Sequence, residues 1–597
     1  GPVVSTNPDG AAVAINAPIQ GGFILEGSLQ AGETQSFDDD GNIIDAIPGI
    51  AALHVTDSVT KGLLFQGFGV EFTEDGDGDD TTTLVNSAIN TSGGTPALRI
   101  ENTATANDLT IGAVDGSSYG VLIRGNFDIN GTSAGLPATG IVLSGQSPDA
   151  LTLIEGGIHF DTGVLDVTTT DADSTGIVIG DYASVPEIYN RGTITAQVLI
   201  STEINDAGET EFGPGGSAIG VRVEENGSLQ SFTNTANVLV GGNGNTSSAT
   251  GLLDLSGTLT SIRNEENAIW RAIVARPTDD PISGSAIAID VRANTSGVNL
   301  YNAGEIIGDI YLGDGDDTVE FQNGTLSGTL DFGAGANSFS LSETSQFSGS
   351  INHNGTLDLF VLGADLELGL NESLNVTTAS FADASTISLL LDPKLDTQGS
   401  LNATSSVFIA NDTRIDPDIS SFVFSETTFT FLNAGTLTVD TQNLDDLLTE
   451  TPFLYNTSLG YADDNPDSLE LIVTPKTAVE LDLDPNASAL YEHFLSTELS
   501  PSEQIENAIA NLPSRESANN AFTSLLGDTS SASIDLALIF GDLQRTHQQD
   551  RLADFIRTKN PETSIWARQY ATYTNGTSSS AESWATNSIS VGVGADL

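Results

Sequence analysis

The sequence predicts an all-β fold: a right-handed parallel β-helix, followed by a short helical region and two further strands. Three observations predict it. Short apolar runs opened by small residues recur through the first 360 residues, and a phrase of apolar residue, any residue and Asn alternates with them. Only 6% of the 597 residues are aromatic, which is few for several large globular cores. A chain of this length has several domains or is a repeat array, and the repeated phrases favour the array.

The two repeated phrases define one coil. The first reads YGVLI at 119, TGIVL at 139, TGIVI at 175, SAIGVRV at 217, TGLLDL at 250 and SAIAIDV at 285. The second contains Asn190, Asn234, Asn264 and Asn302. In a β-helix the Val, Ile and Leu residues stack inward, while a corner Asn tolerates a left-handed conformation and bonds to the Asn one coil away. A β-sandwich of hairpins is the alternative, but Asn-Gly turn signals lack regular spacing.

The coil length is clearest after residue 304. Segments GDIYLGDGDDTV, GTLDFGAGANSF and GSINHNGTLDLF begin at Gly308, Gly328 and Gly349, in steps of 20 and 21 residues. Each step is one coil, with a rise of about 4.8 Å. The step from Gly140 to Gly176 is 36 residues. We therefore expect the extra residues of earlier coils to form projecting loops, for example at 208–217 and 276–284.

The pattern divides the chain into four parts. Residues 1–360 are the predicted β-helix with loop insertions. Residues 361–481 carry longer alternating strands and are predicted to cap it, because the last coil of a solenoid must be closed. Residues 482–560 are predicted to be a helical linker. Residues 561–597 are predicted to form two strands, 564–576 and 583–597.

Local signals place the helices. Pro485 suits the first turn of a helix in which Leu490, Phe494 and Leu495 share one face. Ser514 is predicted to be the N-cap of a second helix, and a long helical run is predicted from 530 to 557. No apolar run reaches 18 residues, so the sequence predicts no transmembrane helix.

Charge and cysteine content limit the function. With 81 acidic and 18 basic residues the net charge is −63. Nucleic acid is therefore excluded as a partner, because its binding needs Lys and Arg to neutralise phosphate. Cations and solubility at high salt remain compatible with this charge. The absence of cysteine excludes disulfides and thiol chemistry.

An enzyme finds little support in the residue pattern. A polysaccharide lyase needs a base and cations beside a carboxylate-bearing intermediate. The arginines are scattered, and the one group, Arg263, Arg271 and Arg276, is better explained by a single insert than by a substrate site. Paired carboxylates for a hydrolase arise by chance among 81 acids. We predict no catalytic residue, with a polysaccharide lyase or hydrolase as the alternative.

The stretch LGDGDDTV resembles a calcium nonapeptide. Gly313 and Gly315 permit a tight turn, and Asp317, with Asp314 and Asp316, supplies carboxylates. Calcium takes six to eight oxygens, so a stacked partner loop is needed. The next coil offers Asn337, which brings an oxygen but no charge. We predict a partial calcium site, against the alternative that Asp317 and Asn337 bond to backbone amides.

A second acidic loop, TEDGDGDDTTT, is also a candidate for Ca²⁺. Its carboxylates are Asp75, Asp77, Asp79 and Asp80. The first three have the spacing that opens an EF-type loop, but position 86 is Asn where the late glutamate would stand. The alternative interpretation of this loop is a solvated turn. Asp38 to Asp40 form a weaker candidate for a cation site.

The order of parts resembles the autotransporters of Gram-negative outer membranes. The matching residues are the run 429–481, the helical LQRTHQQDRLADFIR (543–557), the strand SIWARQYATYTNG and the terminal SVGVGADL. Trp566, Tyr570 and Trp584 suit a membrane interface belt. The resemblance implies a surface-exposed passenger, an autochaperone-like cap, a linker helix and the first two strands of an outer-membrane β-barrel. It departs from the family in length, because a barrel of this class needs at least about eight strands.

The resemblance implies a non-enzymatic rod at the cell surface, or a released passenger. Its role would be adhesion, surface coating or assembly, with a surface glycan or protein ligand or with copies of itself. Its own barrel and the outer membrane are the other implied partners. A surface polysaccharide enzyme and a structural subunit of a surface layer are the alternatives. The chain begins at Gly1-Pro2, which we interpret as a mature or trimmed end.

Overall fold

The computed structural model describes residues 3–5, 10–37, 43–66, 68–73, 81–85, 87–131, 135–205, 208–275, 283–449, 452–462, 465–497, 503–525, 565–577 and 583–595. The chain forms two compact units. The first contains Gly1–Leu366 and Asn375–Ser385, and the second contains Glu367–Leu374 and Thr386–Leu597.

The first unit is a parallel β-solenoid with three faces, and the chain visits them in a fixed order. The strands that form the three faces pair in parallel with the strands of the next coil, as predicted. The first face contains Val3–Ser5, Ser28–Ala31, Ala88–Ser92, Asn126–Asn130, Val164–Thr170, Thr193–Leu199, Asn237–Asn243, Ile269–Ala275, Glu305–Ile307, Thr325–Ser327, Gln346–Ser348 and Asp365–Leu368.

The second and third faces follow the first in each coil. The second face contains Val13–Ile15, Leu53–Val55, Leu98–Glu101, Ala138–Ser144, Ser174–Ile179, Ser217–Val223, Ser248–Asp254, Ala286–Asp290, Asp309–Tyr311, Leu330–Asp331 and Ile351–Asn352. The third face contains Phe23–Leu25, Leu63–Phe65, Val121–Ile123, Ile158–Phe160, Ala183–Asn190, Ser228–Asn234, Ser261–Asn264, Asn299–Asn302, Thr318–Gln322, Ala336–Ser342, Thr356–Leu362 and Ser373–Ala382. Leu109–Ile111 and Thr152–Ile154 add a shorter row to the third face.

The predicted register is confirmed. Ile310 pairs with Leu330 and Leu330 with Ile351, which are the steps of 20 and 21 residues. Ala138 pairs with Ser174, which is the 36-residue step. Antiparallel hairpins account for part of the extra length: Thr34–Phe37 with Ile43–Ile47, Phe68–Thr73 with Thr81–Val85, and Thr202–Ile204 with Thr210–Phe212.

The first phrase marks the second face, with one exception. Its small residue is needed because the coils approach closely: a Cβ added at Gly140, Gly176 or Gly220 would collide with the carbonyl oxygen of the next glycine in the column. The exception is YGVLI, whose strand Val121–Ile123 lies on the third face. The prediction was wrong there because three stacked apolar residues look the same in sequence on either face.

The second phrase forms a buried asparagine ladder, as predicted. Asn190, Asn234, Asn264 and Asn302 are each fully buried. The Nδ2 of each of the first three donates to the Oδ1 of the asparagine one coil on, at 2.8, 2.9 and 2.9 Å. None of these four adopts the left-handed conformation that a corner Asn tolerates, since none has positive φ. Instead the Oδ1 of Asn190 accepts from the amide of Gly192 at 3.1 Å, which makes the corner.

Apolar residues continue the ladder column in both directions. Phe160 precedes Asn190, and Phe321 follows Asn302. All are buried, and so are the inward Val, Ile and Leu residues of the three faces. At about 25 cal/mol per Å² of buried apolar surface, this stacking is the main source of stability. The ladder is a polar segment that the core accepts because each amide is hydrogen-bonded.

The second unit changes from parallel to antiparallel pairing. Thr386–Asp392 pairs in parallel with Arg414–Ile419 and antiparallel with Thr397–Gln398. Ser400–Ile409 pairs in parallel with Thr427–Val439. Ser468–Pro475 then pairs antiparallel with both Thr427–Val439 and Tyr455–Tyr461. A 3-10 turn spans Leu444–Leu447. The predicted longer strands are therefore present in 361–481.

The described residues that follow contain three helices: α1 (Pro485–Thr497), α2 (Glu503–Ala510) and α3 (Arg515–Leu525). Pro485 opens α1 as predicted, and the Ser514 hydroxyl caps α3 by accepting from the amide of Ser517 at 3.2 Å. The predicted apolar face of α1 omitted the most buried large side chain of this helix. Tyr491 is its fully buried large side chain, and its hydroxyl donates to the carbonyl of Lys476 at 2.8 Å.

The last described segment is a β-hairpin. Ile565–Thr577 and Ser583–Ala595, 13 residues each, pair antiparallel without a shift in register. Both strands are as predicted. The helix predicted over 530–557 lies outside the described residues. Within the described part of the chain, no helix combines the length and apolar character needed to cross a bilayer.

Replacing Asn234 with alanine tests the ladder. The Oδ1 of Asn234 accepts from the Nδ2 of Asn190, and its Nδ2 donates to the Oδ1 of Asn264. Asn234→Ala therefore removes two buried hydrogen bonds and leaves the Oδ1 of Asn264 without its donor. We expect the free energy of unfolding to fall by roughly 2–4 kcal/mol, measured by guanidinium denaturation. Asn237→Ala is the matched control. The half-buried Asn237 makes one long bond, to the Thr193 hydroxyl at 3.4 Å, and its loss should cost about 0.5 kcal/mol. Equal effects of the two changes contradict the ladder's role.

Candidate functional site

The predicted cation corner joins Asp309–Tyr311 on the second face to Thr318–Gln322 on the third. Its glycines are required by the coil before it. A Cβ added at Gly313 would collide with the carbonyl of Asn294, and one added at Gly315 with the amide of Gly297. The corner therefore presses its backbone against the preceding coil, which fixes the direction of the side chains.

Asp317 points into the protein. It is 1% exposed, and its Oδ1 accepts from the amide of Val298, one coil back, at 2.7 Å. Its Oδ2 is buried with no hydrogen-bond partner. Burial raises the pKa of Asp317 to about 7, against the lowering effect of the Val298 amide, and the nearby Asp316 charge adds to the rise. Near neutral pH this carboxyl is therefore partly protonated.

Asn337 repeats this arrangement in the next coil. Its Oδ1 accepts from the amide of Asp317 at 2.9 Å, and its Nδ2 donates to the carbonyl of Ala334 at 2.9 Å. Two coils further, the Thr377 hydroxyl accepts from the amide of Leu357 at 3.0 Å. Polar residues in this column thus tie the backbone of one coil to the next. This is the backbone-bonding alternative that the sequence left open.

Asp314 and Asp316 lie on the outside of the same corner. Both are exposed. The Oδ1 of Asp316 accepts from the amide of Ala336 at 2.8 Å. Asp317 and Asn337 are thus brought together, whereas Asp314 and Asp316 face solvent. In the part of the chain that the structure describes, no three His, Asp or Glu side chains form a group able to hold a metal ion.

The corner fits calcium poorly. The Oδ1 atoms of Asp317 and Asn337 both accept from backbone amides, so one buried carboxylate oxygen is left against the six to eight that calcium takes. The other acidic loop, with Asp75, Asp77, Asp79 and Asp80, lies outside the described residues, and so do Asp38 to Asp40.

Sequence reasoning missed a polar cluster on the outer side of the third face. Asp161 binds two arginines from adjacent coils, Arg124 through Nε at 2.9 Å and Arg191 through Nη1 at 3.0 Å. Beside them His159 contacts Tyr119 and Tyr189, with ring centroids 4.9 and 4.8 Å apart. The sequence did not reveal this cluster because the coils here differ in length, so residues that stack on one another are not evenly spaced along the chain.

Two side chains of this cluster, Tyr119 and His159, are partly buried. The Tyr119 hydroxyl donates to Glu187 at 2.7 Å, and burial with this carboxylate raises the pKa of Tyr119. Burial lowers the pKa of His159, which keeps the ring neutral at pH 7, and its Nε2 is buried without a hydrogen-bond partner.

Arg263 and Arg271, which the sequence groups with Arg276 around one insert, lie on different faces of the solenoid. Arg263 lies on the third face, where it binds Glu265 at 2.7 Å and lies 4.1 Å over the ring of Tyr301. Arg271 lies on the first face, and Arg276 is outside the described residues. Arg222 and Arg292 likewise bind acids two residues away, Glu224 and Asp290.

No protein-family model matches the chain, and no curated protein matches it.

The pH dependence of stability tests the state of Asp317. Because its pKa is raised from 3.8 to about 7 in the folded protein, the carboxyl is neutral in both states below about pH 3.8 and ionised at a cost in the folded state above about pH 7. Stability is therefore lost as pH rises between these values. Asp317→Asn, which stays neutral, should match the wild type near pH 4 and exceed it at pH 8 by at most about 4 kcal/mol, measured by denaturation across pH.

Asp314→Asn is the control, because it removes the same charge from an exposed position of the corner. It should change stability little, and in the same way at both pH values. An Asp317→Asn protein that is less stable than the wild type at pH 8, and insensitive to calcium where the wild type is stabilised, would instead make Asp317 a calcium ligand.

Proposed function

We propose that this chain is a surface-displayed, non-enzymatic β-helical passenger of the autotransporter type. It would be attached to a Gram-negative outer membrane through its own C-terminal β-barrel, or released from it. The observation that carries the proposal is the order of parts: a parallel solenoid, an antiparallel sheet, three helices and a hairpin of two 13-residue strands.

The hairpin supports the membrane end of this proposal. A strand needs about 9–11 residues to cross the apolar core of a bilayer, and each strand here has 13. The sequence of these strands contains Trp566, Tyr570 and Trp584. Trp and Tyr are typical of the membrane interface. We propose that the hairpin is the start of the barrel, and that the solenoid is right-handed like other parallel crossovers.

The antiparallel sheet supports the role of a cap. Thr427–Val439 pairs in parallel on one edge and antiparallel on the other. A strand of this kind ends a parallel stack, because the next strand no longer continues the coil. We propose that 429–481 acts as the autochaperone-like segment, so that folding starts from the C-terminal coils during export.

The outer surface supports a role in adhesion, coating or assembly. Arg99, Arg222, Arg263 and Arg292 each bind an acid two residues away. Guanidinium groups neutralised in this way do not supply the uncompensated positive charge that a lyase needs beside its substrate. The net charge of −63 keeps neighbouring molecules apart unless cations lie between them.

That charge favours a second candidate, a subunit of an ordered surface layer. Exposed carboxylates such as Asp314 and Asp316 can share calcium with a neighbouring molecule through oxygens that face solvent, and they need no preformed cage to do so. Under this second candidate function, calcium binds between neighbouring chains rather than inside the corner at Asp317.

Surface display is tested on intact cells of the producing organism. Antibodies raised against the solenoid should label unbroken cells, and added protease should remove the label without lysis. An internal periplasmic or cytoplasmic protein is the control for cell integrity. Labelling that appears only after lysis contradicts the proposal.

Assembly is tested by electron microscopy of the purified chain. With chelator we expect separate molecules, because like charges repel. With millimolar calcium we expect sheets or filaments, and sodium chloride at the same ionic strength should not produce them. The double change Asp314→Asn with Asp316→Asn should raise the calcium concentration needed. Equal behaviour in calcium and sodium removes the surface-layer candidate and leaves adhesion or coating.

A further inference from the structure

A surface cleft of about 200 Å³ lies on the outer side of the third face. One wall is the loop 112–120, which joins Leu109–Ile111 to Val121–Ile123. Hydrogen bonds hold this loop in shape: the amide of Val114 donates to the carbonyl of Tyr119 at 2.9 Å, and the amide of Tyr119 to the hydroxyl of Ser117 at 3.1 Å. The cleft is therefore formed before any ligand enters.

The floor of the cleft is apolar. Leu64, Leu122 and His159 occupy equivalent positions of three successive coils, and Val114 of the loop faces them. The His159 ring is held by Tyr119 and Tyr189 and is neutral at pH 7. Such a floor accepts the apolar C–H face of a hydroxylated pyranose ring.

The polar wall offers donors and acceptors side by side. The Nε–H of Arg124 donates to Asp161 at 2.9 Å. The N–H groups on its two terminal nitrogens therefore remain available as donors. Asp161 is fixed from the other side by Arg191 at 3.0 Å. A fixed guanidinium–carboxylate pair can donate to one hydroxyl and accept from its neighbour. That is the pattern presented by adjacent hydroxyls on a sugar.

The charge around the cleft indicates a neutral sugar. The lining contains Arg124 and two carboxylates, Asp115 and Asp161. Lys61 binds Asp115 at 2.8 Å and Arg191 binds Asp161, so the charges nearly balance. The rest of the chain is strongly acidic, with a net charge of −63. A polyanion such as a polyuronate would be repelled on approach.

We propose that this cleft binds one neutral hexose unit of a polysaccharide, with the ring on Leu122 and His159 and its hydroxyls on Arg124 and Asp161. This inference rests on the proposed adhesive function, and it names the class of ligand that the adhesive protein would bind. Binding is measured on the purified chain without cells, so failure of surface display and failure of binding are separate results.

The test is calorimetric titration of the full chain with neutral hexose oligomers: maltohexaose, cellohexaose and mannohexaose. We expect at least one to bind with one site per chain. Arg124→Ala should weaken that binding at least about tenfold, because it removes charged hydrogen bonds. Ser117→Trp, which fills the cleft from the loop side, should abolish it.

Arg263→Ala is the matched control. Arg263 lies on the outer side of the same face, is exposed to a similar extent and also binds an acid, so its loss should leave affinity unchanged. Circular dichroism confirms that each variant is folded. Absence of binding by all three oligomers, or binding that both cleft variants leave unchanged, overturns the proposal. Tighter binding of oligogalacturonate than of any neutral oligomer overturns the choice of a neutral sugar.

Discussion

The whole first unit depends on the parallel pairing of each coil with the next. Backbone hydrogen bonds place every residue about 4.8 Å from its equivalent one coil away. A side chain in this fold therefore has the same two neighbours whatever the loop lengths between them. Ile177, for example, lies between Ile141 and Val221 although the two steps differ in length. Packing, polar ladders and outer clusters all follow from this one constraint.

Stacking decides which polar residues the interior accepts. Asn190 to Asn302 are buried because an amide donates and accepts at once, so each asparagine satisfies the next. An ionised aspartate only accepts. Asp317 can take the amide of Val298, but its second oxygen has no donor, and its pKa rises accordingly. In the stack that contains Asp317 and Asn337, the side-chain amide of Asn337 is therefore hydrogen-bonded through both its oxygen and its nitrogen, whereas the carboxyl of Asp317 is hydrogen-bonded through one oxygen only.

The outer surface follows the same register with different chemistry. Four of the described arginines, Arg99, Arg222, Arg263 and Arg292, bind acids two residues away, which neutralises them locally. At Asp161 the partners come instead from coils on either side, because Arg124 and Arg191 flank it in the stack. Asp161 is therefore bound from two neighbouring coils at once.

Much of the fold could be predicted from the sequence, because inward Val, Ile and Leu and corner asparagines repeat wherever a coil repeats. The 20- and 21-residue steps and the asparagine ladder needed only this periodicity. The face of YGVLI could not be predicted, since an apolar triplet fits any face. Asp317 and Asn337 were placed together correctly by register. Whether their oxygens point to backbone amides or to a shared cation depends on how closely the coils approach.

The sequence by itself therefore determined the coil, its length after residue 304, the column of asparagines and the acidic character of the surface. These are properties of a repeat, which local spacing carries. Only the tertiary structure decided that Asp317 faces inward while Asp314 and Asp316 face solvent, and that Arg124, His159 and Asp161 line one cleft. Residues 35 or more positions apart become neighbours there through loops of unequal length. Their spacing in the chain does not reveal a contact that backbone pairing between coils creates.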